Sequence, residues 1–166
     1  MSKVNLSVVD NKAYDNVIVV NGNRFKYKKD KNRRLVGTVE CNNECVVEIY
    51  NWNEIKCKLW IIVEIFFFII SIFGIFDVRR DKKGRTISFK AKFMSKDESN
   101  VKLGFNTFKE DTPAIKIDAD CDMEIIENRF YIDKQVVKRY KILKICKLLT
   151  FLLVIVCLFV GIIYKK

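Results

Sequence analysis

Histidine is absent from the 166 residues, and only one proline and six glycines are present. Without histidine the chain lacks the usual general base near neutral pH and the commonest metal ligand. No glycine-rich phosphate loop occurs, and no nucleophile is paired with an evident base. These gaps argue against an enzyme and against a resident cofactor or metal. The six cysteines do not form a secreted disulfide framework, since Cys146 and Cys157 fall beside or within an apolar run. An export signal is not expected either, because the first apolar run begins late and follows folded-looking sequence. Acidic residues are the minority, 20 against 31 Lys and Arg, for a formal net charge of +11.

Long apolar stretches, in contrast, are prominent. Residues 59–76 carry one charge, Glu64, and residues 148–163 carry none. Runs of this length and character meet a bilayer. Beside them, the cationic excess reads as attraction to anionic lipid headgroups, with nucleic acid the disfavoured partner.

The remaining sequence alternates in the manner of strands. Val4, Leu6 and Val8 form a first strand, and residues 17–20 and 24–27 flank Asn21-Gly22-Asn23 as a hairpin. Gly22-Asn23 as the two-residue loop would place Val20 opposite Phe25 and Ile18 opposite Tyr27, with the apolar side chains on one face. Residues 28–34 read as a solvated basic turn. Residues 35–41 and 45–50 suggest a second hairpin, with Cys41 opposite Cys45 as a buried, reduced pair.

After the first apolar run, Ile87, Phe89, Ala91 and Phe93 alternate with polar residues, and Val101, Leu103 and Phe105 follow. The clearest alternation is Ile115, Ile117, Ala119, Cys121, Met123 and Ile125. Between them Asp118, Asp120 and Asp122 resemble the start of a calcium loop, but its glycine and closing glutamate are missing. A solvent-facing acidic stripe is the expectation, paired with Lys90 and Lys92 if those strands are neighbours. Asp133 can cap a helix that begins near Lys134.

The fold class expected is a membrane-anchored all-β, β-sandwich-like domain with two hydrophobic helices. Its segments are an N-terminal β piece (1–57), a first hydrophobic helix that crosses or re-enters (58–76), a second β piece (77–133), and a basic helix continuing into a C-terminal transmembrane segment (134–166). Headgroup contacts are expected from Arg79, Arg80, Lys82, Lys83, Lys138, Arg139, Lys141, Lys144 and Lys147. Small or polar stripes on the two helices, Glu64, Ser71 and Gly74 on one and Thr150, Cys157 and Gly161 on the other, suit close helix contacts.

Clustered Lys and Arg at both membrane ends of residues 77–141 favour a cytoplasmic location. Three arrangements follow: one joined cytoplasmic sandwich with a non-crossing first run, an N-outside protein with two spans, or an N-inside protein with the middle piece exported. The first is preferred. The function expected is a non-enzymatic integral membrane protein of the cell membrane, presenting an interaction or accessory domain to a protein partner and able to self-associate. The alternative is a subunit of a small oligomeric channel or transporter built around Glu64.

Overall fold

Alternating β-branched and aromatic residues form strands here because every second side chain can be buried on a pleated surface. The computed structural model describes residues 2–9, 16–42, 44–51, 56–72, 84–94 and 97–164. In chain order, β1 (Ser2–Val9), β2 (Asn16–Val20), β3 (Asn23–Arg24), β4 (Lys28–Lys29), β5 (Arg34–Cys41) and β6 (Glu44–Asn51) precede α1 (Trp60–Ile72). Then β7 (Arg85–Met94), β8 (Glu98–Phe105), β9 (Ile115–Ala119) and β10 (Asp122–Ile132) precede α2 (Lys134–Tyr164). The chain divides into two units, Met1–Glu54 with Arg85–Ile132, and Ile55–Gly84 with Asp133–Lys166.

The first unit is mostly β, built from two five-stranded sheets ordered β4-β5-β1-β8-β9 and β10-β7-β6-β2-β3. Both sheets combine strands from before and after α1. β1 pairs β8 in parallel, with Leu6 beside Val101, and β6 pairs β7 antiparallel, with Val47 beside Ala91. The core between the sheets is lined by Val4, Leu6 and Val8 from one central strand and by Ile87, Phe89, Ala91 and Phe93 from another, each at most 2% exposed. Among the described residues no helix is long and apolar enough to cross a membrane.

Three sequence expectations are corrected. First, the β2–β3 loop is Asn21-Gly22, because Val20 pairs with Asn23 and Val19 with Arg24. Both loop residues have positive φ, 49° and 78°, as a type I′ turn requires. Asn21 is also tied to β6, donating its N–H to the Val46 carbonyl at 2.9 Å and accepting the Val46 N–H at 2.8 Å. Phe25 is buried while Tyr27 is exposed.

Second, β5 and β6 do not pair as a hairpin. The turn between them carries the chain from one sheet to the other, since β5 pairs β1 and β6 pairs β2 and β7. Cys41 and Cys45 still both face the core.

Third, the alternation from Ile115 to Ile125 is not one strand. It turns at Asp120-Cys121 into the other sheet, which sends the aspartates to different neighbours. Asp118 meets Lys102 at 3.4 Å, whereas Lys90 pairs with Glu48 at 2.7 Å and Lys92 with Glu124 at 3.8 Å. Asp120 accepts the Asn100 backbone N–H at 2.7 Å and its side-chain amide at 3.0 Å. Those two bonds hold its carboxyl below the usual carboxylate range.

Gly37 in β5 is needed for close approach, not for backbone freedom. A Cβ there would lie 2.6 Å from the Lys26 carbonyl oxygen and 2.8 Å from the Phe25 ring. Gly37→Ala should therefore cost about 1–3 kcal/mol through overpacking. Gly104→Ala, where the nearest atom to a Cβ is 4.0 Å away, should leave the thermal unfolding midpoint unchanged or slightly higher. Equal midpoints for the two variants would contradict the packing of Phe25.

Candidate functional site

All the traffic between the two units leaves one end of the first. Ile132 lies opposite Arg85, and Tyr50 opposite Ser88, so β6 exits, β7 enters and β10 exits side by side. Asn51 fastens this end, accepting the Ile87 N–H at 3.0 Å and donating its side-chain amide to the Arg85 carbonyl at 3.4 Å. The opposite end carries the short turns between β5 and β6, β7 and β8, and β9 and β10. Phe108 also belongs to the exit end. Its ring packs 5.1 Å from that of Phe130, and the Arg85 guanidinium lies 5.6 Å above it.

Within the second unit, Asp133 is the junction. Its carboxylate caps α2, accepting the Gln135 N–H at 3.0 Å and the Val136 N–H at 3.2 Å, and its other oxygen meets the Lys56 ammonium at 2.9 Å. Burial alone pushes this carboxyl up. Lys56 and the helix N–H donors outweigh that effect and hold it below 3.8. The Asp133 N–H donates to the Gly84 carbonyl at 2.8 Å. Gly84 has φ +68°, and a Cβ on it would meet Val137 at 2.9 Å and the Asp133 carbonyl oxygen at 3.0 Å. Glycine is required there twice over, by backbone conformation and by space.

Arg139 reaches from α2 to the residues leading into α1, donating to the Cys57 carbonyl at 3.4 Å and lying 5.4 Å over the Trp60 ring. Glu64, one turn beyond Trp60, is only 7% exposed, whereas Ile61, Ile62, Ile65 and Phe66 are more than half exposed. Among the described side chains of α1, Glu64 is thus buried while these four apolar residues are exposed.

Of the expected headgroup contacts, Lys138, Lys141 and Lys144 are exposed on α2, and Arg139 is half-buried against Trp60. Arg79, Arg80, Lys82, Lys83 and Gly74 lie outside the described residues. The side chains of Ser71 and Lys147 and the surroundings of Gly161 also lie outside them. Thr150 donates its hydroxyl back to the Cys146 carbonyl at 2.9 Å, and Cys157 is exposed. The sequence reading missed the Lys56–Asp133 pair and the Gly84 requirement, which depend on contacts distant in the chain.

Burial, reinforced by neighbouring Cys41 and by Cys121, pushes the Cys45 thiol up to about 12. Cys41 lies 3.5 Å from the Ser2 hydroxyl. Among the described residues no three thiols or carboxylates are grouped so as to hold a metal ion. No protein-family model, curated protein or solved structure matches this chain.

Two measurements check these local assignments. Asp133→Ala should destabilise the start of α2 by about 1–2 kcal/mol, read as faster hydrogen exchange at Gln135 and Val136, and Asp133→Asn should retain part of the cap. Because the Asp133 carboxyl is depressed, its contribution is complete above its unfolded value near 3.8 and disappears as pH falls through the folded one. The acid sensitivity of those amides should therefore flatten in the Asn variant. For Cys45 the sign is opposite. The stability tied to its proton is intact below pH 9.0 and is lost as pH rises through about 12. At pH 8, a small maleimide should modify Cys45 only after denaturant is added.

Proposed function

We propose that this chain is a non-enzymatic membrane protein that holds a β-sandwich at a bilayer surface as an interaction or accessory module. The observation that carries this reading is the contrast between the units. The sheets bury most of their apolar side chains and expose the rest at no more than 48%, whereas α2 exposes Leu148, Leu149, Phe151, Val156 and Phe159 at 59–64%. Each such side chain gains about 1.5–3 kcal/mol on leaving water. An apolar surface of this extent marks a membrane or partner contact. The charge-free stretch from residue 148 to 164 is about 25 Å long at ~1.5 Å per residue. Lys144, one turn before its start and exposed, can extend its stem along lipid.

Chain connectivity supports the sidedness. Residues 51 and 85 belong to neighbouring strands of one sheet, so both stand on the same side of any bilayer. The intervening stretch has about 33 residues, and two crossings need roughly 40 before any turn. On this reading it enters one leaflet and returns, and the crossing is assigned to the apolar end of α2, although among the described residues no helix has the length and apolarity of a full span. The cations at Arg79, Arg80, Lys82, Lys83, Lys138 and Lys141 favour a cytoplasmic sandwich. Met94, Met123, Ile125 and Ile126, each 43–48% exposed on β7 and β10 at the end away from the exits, offer a protein partner an apolar surface. The channel alternative has less support, since the Glu64 carboxyl is buried within one copy rather than presented to others.

Impermeant maleimide labelling in intact cells tests the arrangement, with Cys57, Cys121, Cys146 and Cys157 replaced and buried Cys41 and Cys45 retained. Glu40→Cys and Lys116→Cys should both stay unlabelled until permeabilisation, and Tyr164→Cys should label at once. Opposite behaviour of the first two positions would break the joined sandwich. Protection of all three would remove the span.

A further inference from the structure

Residues 28–34 hold five cations, Lys28, Lys29, Lys31, Arg33 and Arg34, against one carboxylate, Asp30. The tip they form is built, not loose. The Asp30 N–H donates to the Arg34 carbonyl at 2.8 Å, and the Arg33 N–H to the Asp30 carbonyl at 3.0 Å. Arg33 takes a φ of 57°, and β4 pairs β5 through Lys28–Val36 and Lys29–Leu35. The Asp30 carboxylate accepts the Lys31 backbone N–H at 2.6 Å, which turns it toward the turn's own backbone. Residues 28–33 are exposed and Arg34 half-exposed.

Its position in the sandwich gives this tip its meaning. In its own sheet Arg34 pairs with Val9, and Phe105 with Ile115, at one end, while Cys41 pairs with Ser2, and Glu98 with Lys3, at the other. Short turns join that second end to Glu44, Met94 and Asp122 of the facing sheet. The first end is joined to Phe130, whose carbonyl accepts the Asp111 N–H at 3.0 Å and whose N–H donates to the Thr112 carbonyl at 2.9 Å. The basic tip therefore stands at the same end of the sandwich as Asn51, Arg85 and Ile132, where both apolar segments leave. Among the described residues at this end, Glu110 and Asp111 lie in the connection between β8 and β9, where the Asp111 N–H bonds the Phe130 carbonyl of β10.

We infer that residues 28–34 are a second, electrostatic membrane contact, which seats the exit end of the sandwich on anionic lipid headgroups. The inference rests on the membrane reading above and adds to it a lipid preference. Lys28, Lys31, Arg33 and Arg34 supply the attraction, within a Debye length of about 10 Å at 0.1 M salt. Because the tip is on the same chain as the proposed membrane segment, its own weak affinity acts at high effective concentration.

The test uses the full chain in lipid nanodiscs, with exposed thiols replaced and a fluorophore attached through Asn32→Cys. A nitroxide on the lipid headgroups reports proximity by quenching. Strong quenching is expected in phosphatidylserine-containing discs, with little in pure phosphatidylcholine or at high salt. Lys28→Gln, Lys31→Gln and Arg34→Gln together should shift the docked-to-undocked ratio by about a hundredfold, at about 1 kcal/mol per cation. The same charge removal at Lys3, Lys92 and Lys102 should leave it unchanged. Incorporation into discs with no lipid-dependent quenching would overturn this inference alone, whereas failure to incorporate would overturn the membrane reading as well. Protection of the label by a short single-stranded oligonucleotide, without quenching in anionic discs, would reassign the tip to nucleic acid.

Discussion

The ladder between β6 and β7, from Glu44–Met94 to Tyr50–Ser88, is the constraint on which the rest depends. It joins the last strand before the apolar insertion to the first strand after it. With the parallel β1–β8 pairing it makes each sheet from both halves of the chain. Neither half can complete a core alone: β6 without β7 would expose Val47 and Ile49, and β8 without β1 would expose Val101 and Leu103. Closing the long loop is slow and costs entropy that grows with the logarithm of its length. Burial of the central strands must offset that cost.

The insertion is compatible with the ladder because its two ends are held close. Asn51 ties β6 to the start of β7, Gly84 takes the left-handed turn just before β7, and its carbonyl accepts the Asp133 N–H where β10 passes into α2. Lys56 and Arg139 then bind the residues leading into α1 to the first turns of α2. Apolar segments that left opposite ends of a sandwich could not be rooted this way. The polar groups at the root are satisfied by one another, as partly buried polar groups require.

Strand content was legible where one rule acted alone. Ile87, Phe89, Ala91 and Phe93 alternate through a central strand and are all buried, as period-2 patterning demands. Legibility failed at corners. Alternation reports which side chains face the core, not which sheet contributes them, so it runs unbroken through Asp120-Cys121 and through the turn between Cys41 and Glu44. At Asn21-Gly22 turn chemistry set the register, and the apolar match follows two residues further along, where the Phe25 N–H donates to the Ile18 carbonyl at 2.9 Å and both side chains are buried. The root was illegible, since Lys56 and Asp133 meet across much of the sequence. The basic residues 28–34 were visible, but composition cannot say at which end of a sandwich a turn will stand.

That last point bears on how the cationic excess is used. Positive charge spread evenly over a sandwich would attract any polyanion and orient nothing. Here Lys90 and Lys92 are neutralised on the sheet face by Glu48 and Glu124, and Lys102 by Asp118. Exposed pairs of this kind add little stability, but they remove charge from the faces. The compact group at residues 28–34 carries one internal carboxylate, and that carboxylate is hydrogen-bonded to its own backbone. Residues 28–34 thereby stand out as a compact basic group on a sandwich whose own charges nearly balance, most of the cationic excess lying in the second unit. That basic group and the exits of both apolar segments share one end of the sandwich, a coincidence that the overall cationic excess, carried mostly by the second unit, does not by itself produce.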